Sequence, residues 1–366
     1  MSKANLWVHI LDESWQLPTL LPDTRRALSF KSWRELLLPA QLSHVMLAYM
    51  LLQGHSRAAR TAFLPVVLLF LYRSSVTLNV SCLEENTTVC DPALAWRNQG
   101  HLLNNFFSAL QAITWAVEPR APKRIDGTSP PLFEFITSFR AMDMEGVGSR
   151  CHRPKEWRPT QSRAAFCLAT AGSLLINVLA VDILQTYIHY LDQEHYGFGK
   201  HGPLLPPDRL PSLRSTYITG VAAIVVYSVI QAVFDVGTLI GVGILRHDPK
   251  GWPPLFDKPW LSTSLSDFWG RRWHQIFRLC FIKVTAVLPL LRPLAILAAF
   301  ALSGLLHLFG GWGMGYGESV ARMVGFFVMN GVGILLERAV LKHFFRAQSD
   351  GKKRVGGMSE APYIAH

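Results

Sequence analysis

Residues 293–307 read PLAILAAFALSGLLH, an apolar run without a charged residue that ends on His307. The stretch FWGRRWH, residues 268–274, precedes this run and concentrates aromatic and basic side chains. An ionisable side chain in a helix of membrane character is costly, and it points to a functional role. We therefore expect His307 to be the chemical centre of the protein and residues 268–274 to hold a substrate beside it.

The composition of the chain indicates an integral membrane protein. Of its 366 residues, 50% are hydrophobic and 17% are charged, against about 25% charged residues in soluble domains. Several uncharged runs reach or approach the length of about 20 residues that a membrane-crossing helix needs. The clearest are 36–56, 164–181 and 215–234, followed by the more polar run 100–117 and the shorter runs 61–72, 293–306 and 323–336. We predict an all-α, polytopic helical bundle with about six to eight transmembrane helices.

The distribution of basic residues predicts which loops face the cytoplasm. Lys and Arg concentrate in cytoplasmic loops. Arg57 and Arg60 follow the first predicted helix, and basic residues outnumber acidic ones within residues 119–163. The same rule places residues 246–275 and the basic C-terminus in the cytoplasm. The net charge of +11 is explained by these loops, and we expect no nucleic-acid partner.

The loop after the second predicted helix is acidic and carries N-glycosylation sequons at Asn79 and Asn86. Cys82 and Cys90 bracket the second sequon. Sequons and cysteines in one short loop suit the oxidising, lumenal side of the endoplasmic reticulum. Whether the two cysteines pair is left open. The five cysteines of the chain are not spaced like a zinc site, and we expect no bound metal.

The chain divides into three parts by composition. Residues 1–35 form a polar lead-in, residues 36–345 a membrane domain, and residues 346–366 a basic cytoplasmic tail. The lead-in lacks the compact apolar core of a signal peptide, so we expect the first membrane helix to serve as the targeting signal. No internal repeat is visible, whereas many transporters are built from inverted repeats.

The residues around FWGRRWH suggest group-transfer chemistry. A histidine in an apolar setting stays neutral, because burial disfavours its charged form, and His307 then suits general-base activation of a hydroxyl. Arg271 and Arg272 could bind the phosphates of a nucleotide-like donor through bidentate contacts. Trp269 and Trp273, four residues apart, would share a face of a helix. Equally, these side chains could form an interfacial belt of aromatic residues and snorkelling cations.

Two acidic residues interrupt predicted membrane helices. We interpret Asp182 and Asp235 as helix-end or bundle-facing residues rather than as catalytic groups. Their expected ion-pair partners are Arg73, Lys283 and Arg292.

The sequence contains none of the signatures of serine hydrolases, P-loop nucleotidases, zinc proteases or c-type haem attachment. The run GGWGMGYG, residues 310–317, follows an apolar helix rather than a strand. It therefore predicts a flexible turn at the membrane edge instead of a phosphate cradle.

Residues 264–278, SLSDFWGRRWHQIFR, followed by SGLLH at residues 303–307, resemble the wax-synthase-like branch of the membrane-bound O-acyltransferase superfamily. The resemblance covers residues 254–311 and is greatest to fungal members that acetylate terpenoid and meroterpenoid alcohols. It implies a helical bundle with a tunnel across the membrane and transfer of an acyl group from coenzyme A to a hydroxyl. No bound cofactor is implied, and acetyl-CoA would be a co-substrate.

The resemblance also implies roles for individual residues. The catalytic histidine of the family maps onto His307, and its upstream polar position maps onto His274. That residue would orient the substrate, polarise the thioester carbonyl or only pack. The expected substrate and coenzyme A site comprises Asp267, Trp269, Arg271, Arg272 and Trp273. Leu308 stands where plant-type members tend to have glutamate, which disfavours a long-chain wax ester product.

The implied function is therefore an O-acetyltransferase of secondary-metabolite biosynthesis, with its active-site motif facing the cytoplasm. A long-chain-alcohol O-fatty-acyltransferase (wax synthase) is the alternative among enzymes. A membrane transporter and a non-catalytic scaffold are the alternatives from other classes. Neither the acceptor alcohol, the acyl chain length, the number of spans nor the oligomeric state follows from the sequence.

Overall fold

The structure, a computed structural model, describes residues 25–82, 94–137, 144–145, 152–191, 213–287, 291–314 and 320–356. In these ranges the chain is almost entirely helical. The helices are α1 Phe30–Leu52, α2 Arg57–Thr77, α3 Ala95–Val117, α4 Leu132–Thr137, α5 Arg163–Leu191, α6 Leu213–Thr238, α7 Arg278–Val287, α8 Arg292–Gly313 and α9 Val320–Gly356. Two π-helical turns, Trp33–Leu37 within α1 and Leu239–Ile244 after α6, are continuous with them. The strands β1 (Arg26–Ala27) and β2 (Leu78–Asn79) form one short parallel pair.

Among the described residues, six helices are long and apolar enough to cross a membrane: α1, α2, α5, α6, α8 and α9. The prediction of an all-α, polytopic membrane protein is confirmed. The short apolar runs 61–72, 293–306 and 323–336 lie within the longer helices α2, α8 and α9, because flanking residues extend each of them.

Helix α3 occupies the centre of the bundle, where it packs against α1, α2, α7 and α8. It is not among the six apolar helices because it carries polar residues such as Asn98, Asn105 and Gln111. These side chains are at most 6% exposed. Asn105 donates to the Ser75 hydroxyl of α2 over 3.0 Å. Protein, rather than lipid, therefore surrounds these polar side chains of α3.

Helices α5 and α6 form an antiparallel pair that carries a buried carboxylate. Asp235 is 1% exposed, and it accepts hydrogen bonds from Ser173 Oγ (2.7 Å) and Gln231 Nε2 (2.8 Å). Asp182 lies exposed on α5. The predicted ion pairs are wrong: within the described residues, neither aspartate bonds to Arg73, Lys283 or Arg292. Neutral donors inside the pair satisfy Asp235 instead.

Glycines bring α8 close to its neighbours. A Cβ atom on Gly304 would lie 2.7 Å from the Cα of Val324, so α8 and α9 meet backbone to backbone. A Cβ on Gly313 would lie 3.0 Å from the carbonyl oxygen of Asn98 in α3. Small residues permit such close approach between membrane helices. The expected flexible turn is therefore wrong for residues 310–313, which form the last turn of α8; residues 315–317 lie outside the described part.

Candidate active site

The predicted substrate stretch begins with a short, tightly capped helical segment. Ser264 Oγ accepts a hydrogen bond from the Asp267 backbone N–H over 2.9 Å, which starts the single turn Leu265–Asp267. The chain continues as the π-helical turn Phe268–Arg272, here called the FWGRR turn, and leaves it at Trp273 in extended backbone. π-Helical turns are rare and often occur at functional sites.

The two arginines of the FWGRR turn have different environments. Arg272 Nε lies 2.5 Å from Asp267 Oδ2, and Arg272 also donates to the Asp257 carbonyl over 3.2 Å. The hydrogen bond from Arg272 lowers the pKa of Asp267. The side chain of Arg271 is 61% exposed and lies 3.8 Å from Asp267. Arg272 therefore holds the turn together, whereas Arg271 presents its guanidinium to the outside.

Gln275 supports the same turn, and the sequence pattern did not single it out. Its side chain is buried, and its Nε2 donates to the carbonyls of Trp273 (2.7 Å) and Trp269 (3.2 Å). Its Oε1 atom is buried without a hydrogen-bond partner. The sequence offered no signal for this role, because both partners are backbone atoms brought close by the turn.

His274 lies in an aromatic environment after the turn. Its ring centroid is 5.5 Å from that of Trp273, 5.7 Å from Phe277 and 5.9 Å from Phe256. The Nδ1 atom is buried and makes no hydrogen bond within the described part of the chain. Burial, with a smaller contribution from the nearby His307, lowers the pKa of His274 to about 3. The imidazole is therefore neutral at physiological pH, and the structure brings the two predicted histidines together.

His307 is held in one orientation by α8 and α9. Its Nδ1 lies 2.7 Å from the Ser303 carbonyl oxygen. A carbonyl only accepts, so Nδ1 carries the proton and Nε2 keeps the lone pair. The imidazole stacks on Phe327 of α9, with ring centroids 4.5 Å apart. The nitrogen able to act as a base is therefore fixed by a hydrogen bond on one side of the ring and an aromatic contact on its face.

Trp269 connects the FWGRR turn to the same region. Its indole N–H donates to Asn330 Oδ1 over 3.1 Å, and its ring lies 6.2 Å from Phe327. Trp269 and Trp273 contact each other edge to face at 6.2 Å, although the segment is a π-helical turn rather than a regular helix. Phe327 and Asn330, which the sequence reasoning missed, thus link the turn to His307.

The glycosylation prediction falls on a structured residue and on one outside the described part. Asn79 is half-buried, and its Oδ1 accepts from Ser81 Oγ (2.6 Å) and Asn98 Nδ2 (2.8 Å). Asn86 lies outside the described residues. Cys82 is disulfide-bonded, and Cys167 and Cys280 are free.

Among the described residues, no group of three or more His, Cys, Asp or Glu could hold a metal ion. The chemistry available at the site is that of two imidazoles, indole N–H groups and an exposed guanidinium.

Residues 252–329, which include the FWGRR turn and both histidines, match the model of the membrane bound O-acyl transferase family. Over this segment the chain is similar to that family. No solved structure matches the chain.

The most similar relatives include fungal acetyltransferases and a plant acyltransferase. Acetyltransferase spyB of Aspergillus fumigatus is 29% identical over 36% of this chain and 25% of its own length. Acetyltransferase ataH of Aspergillus terreus is 28% identical over 52% of this chain and 69% of its own length. The long-chain-alcohol O-fatty-acyltransferase of Simmondsia chinensis is 35% identical over 24% of this chain and 28% of its own length. The chain thus spans about a quarter of the length of spyB and of the plant acyltransferase.

Proposed function

We propose that this protein is an O-acetyltransferase that moves an acetyl group from acetyl-CoA to a hydroxyl of a terpenoid or meroterpenoid small molecule. It would act in secondary-metabolite biosynthesis at the endoplasmic reticulum membrane, with its site facing the cytoplasm. The observation that carries the proposal is the orientation of His307. Its Nδ1 is committed to the Ser303 carbonyl, which leaves Nε2 as a base beside the neutral imidazole of His274.

The proposed reaction is a direct transfer. Nε2 of His307 takes the proton of the acceptor hydroxyl while the hydroxyl oxygen attacks the thioester carbonyl. The carbon–sulfur bond then breaks, and the coenzyme A thiolate leaves and takes up the proton from the imidazolium. The Ser303 carbonyl stabilises the imidazolium during this sequence, because it accepts the hydrogen bond from Nδ1 throughout.

The developing oxyanion needs a neutral donor, and two groups are available. His274 remains neutral and carries one N–H, and the indole N–H of Trp273 is adjacent. One such donor is typically worth about 2.7 to 4 kcal/mol in the transition state. We assign the role first to His274, because its buried Nδ1 has no hydrogen-bond partner among the described residues.

Coenzyme A would bind at the FWGRR turn. Arg271 is the exposed cation there, and it is suited to a phosphate because a guanidinium binds phosphates bidentately. Arg272 and Asp267 would act by shaping the turn, and Trp269 and Trp273 by supplying its apolar wall.

Acetyl transfer is favoured over long-chain transfer by the names of the matched fungal relatives, which are acetyltransferases. The match to the Simmondsia chinensis long-chain-alcohol O-fatty-acyltransferase keeps wax ester synthesis as the second candidate. The two candidates share the base and the oxyanion donor and differ in the acyl chain that the bundle accommodates.

The experiment uses microsomes that express the wild type, His307→Ala, or the matched control His55→Ala, in which the replaced histidine is exposed. Each is incubated with radiolabelled acetyl-CoA or palmitoyl-CoA and a panel of terpenoid and long-chain alcohols. We expect labelled acetyl ester from the wild type and His55→Ala, and at least about a hundredfold less from His307→Ala. Transfer from palmitoyl-CoA alone would identify a wax synthase. Unchanged transfer by His307→Ala would remove this residue from the mechanism.

A further inference from the structure

One face of α9 contacts both parts of the candidate active site. Val324, Phe327, Asn330, Gly333 and Glu337 recur at intervals of three or four residues, so they share one side of the helix. The resemblance described above covers residues 254–311, so it assigned no function to this face of α9. The second half of the face also lies beyond residue 329, where the family match ends.

The first half of the face fixes the helix that carries the base. The backbone of Val324 fits against Gly304 of α8, one turn before His307, and Phe327 stacks on His307 itself. Backbone contact allows little sliding between two helices, because a shift along the axis would bring side chains into the place of the glycine. The position of His307 relative to α9 is thereby set.

The second half of the face holds the FWGRR turn and the residues before it. Trp269 Nε1 donates to Asn330 Oδ1 over 3.1 Å. The backbone N–H of Ser266 donates to Glu337 Oε2 over 3.0 Å. Leu265 packs so closely on Gly333 that a Cβ atom there would lie 2.7 Å from its Cδ1. Residues 265–269, which lead into the turn and include its Trp269, are thus attached to α9 at three successive levels.

The amide of Asn330 is oriented for this contact. Its Nδ2 donates to the Phe326 carbonyl one turn earlier in α9, over 2.8 Å. The amide oxygen is therefore directed away from its own helix and accepts from Trp269. Both ends of a polar side chain in a membrane helix are satisfied in this way, and the indole ring is held beside Phe327.

We propose that Asn330 is a positioning residue that acts through Trp269: it sets the distance between the FWGRR turn and His307. This proposal rests on the proposed acyl transfer, in which the acyl donor bound at the turn must meet the base on α8. Among the described residues, the hydrogen bonds of Asn330 go to Trp269 and Phe326 and not to His307, so we expect it to affect the reaction through the placement of the turn.

The first test is a double-mutant cycle in purified, detergent-solubilised protein. Asn330→Leu removes the acceptor, Trp269→Phe removes the indole donor, and the double variant removes both. Loss of one hydrogen bond corresponds to about a two- to tenfold effect, which we expect mainly in kcat. If Asn330 acts through Trp269, the double variant is no slower than the slower single variant. Losses that multiply in the double variant would overturn the proposal. Met329→Leu, at an exposed position of α9, is the matched control.

The second test does not depend on activity. Arg271 is exposed in the turn, so trypsin can cleave after it, and a loosened turn should be cleaved faster. We expect Asn330→Leu and Trp269→Phe each to raise the cleavage rate severalfold, with Met329→Leu unchanged. If Asn330→Leu does not yield folded protein, Trp269→Phe tests the same hydrogen bond from the other side.

The two tests separate failure of this inference from failure of the proposed function. If both variants are cleaved faster but the wild type transfers no acyl group, the positioning role of Asn330 is supported and the acyltransferase function is rejected. If both variants are cleaved at the wild-type rate, the positioning role of Asn330 is rejected whatever the activity.

Discussion

The imidazole of His307 stacks on the phenyl ring of Phe327, with the ring planes 30° apart. The two residues belong to neighbouring helices, α8 and α9, and the hydrogen bond from His307 to the Ser303 carbonyl lies within α8. One contact therefore selects the tautomer, and the other restricts rotation of the ring. A side chain held in this way would need little reorganisation to act as the proposed base.

Replacing Phe327 with leucine should lower kcat, while the amount of folded protein stays the same. The aromatic contact is worth about 0.5 to 1.5 kcal/mol beyond simple burial, which corresponds to about a two- to tenfold loss if it acts through the base. Acetyl transfer at saturating donor measures the effect. Phe326→Leu, at the neighbouring exposed ring, is the control, and equal losses in both variants would contradict a role through His307.

His274 should make stability depend on pH. Its pKa is lowered from 6.5 to about 3 by burial and by His307, so below pH 6.5 the unfolded chain binds a proton that the folded protein does not. Stability contributed by the neutral form is thus complete above pH 6.5 and falls as the pH drops toward 3. We expect the melting temperature to fall less between pH 7 and pH 5 in His274→Asn than in the wild type. Parallel curves would mean that His274 does not titrate as described.

The two arginines of the FWGRR turn should respond differently to alanine. Arg271→Ala should raise the KM for the acyl-CoA donor and weaken its salt dependence, with kcat and melting temperature nearly unchanged. Arg272→Ala should lower the melting temperature, because Asp267 and the Asp257 carbonyl both lose their partner. Steady-state kinetics at two salt concentrations and thermal melts check both outcomes. A KM effect confined to Arg272→Ala would reverse the assignment.

Gly304 should not tolerate a side chain. A Cβ atom there would lie 2.7 Å from the Val324 Cα, and overpacking of this kind typically costs about 1 to 3 kcal/mol. Gly304→Ala should therefore melt at a lower temperature than the wild type. Gly220→Ala is the control, because a Cβ atom at Gly220 in α6 would meet nothing within 4 Å. An unchanged melt for Gly304→Ala would show that α8 and α9 can separate without cost.

The helices that could be predicted from the sequence are those with long uncharged, apolar runs. Helices α1, α5 and α6 correspond to long uncharged runs, so their existence could be predicted from composition. Helix α3 was the weakest prediction, because its run contains polar residues. Other helices, rather than lipid, bury these residues, and this burial makes them tolerable. The glycines at 310–313 were misjudged for a related reason: a glycine that permits helix contact and one that permits a turn look the same in a sequence.

The candidate site was predictable only in part. The pattern and the resemblance singled out His274, His307 and the FWGRR residues, and the structure brings the histidines together. Phe327 and Asn330 were missed because each contacts a residue distant in sequence. Gln275 was missed because its partners are backbone carbonyls of the neighbouring turn. The sequence pattern treated Arg271 and Arg272 alike, whereas their environments differ through the positions of Asp257 and Asp267.

The sequence by itself determined that this chain is a helical membrane protein and that one histidine ends an apolar helix beside an aromatic and basic stretch. Hydropathy and residue type are local properties, and they carry that information without folding. Only the tertiary structure decided which nitrogen of His307 is basic, which arginine is exposed and which residue of α9 holds Trp269. The first depends on a hydrogen bond that exists only within the formed helix α8. The other two depend on where the folded chain places Asp267, Asp257 and Asn330 around the FWGRR turn.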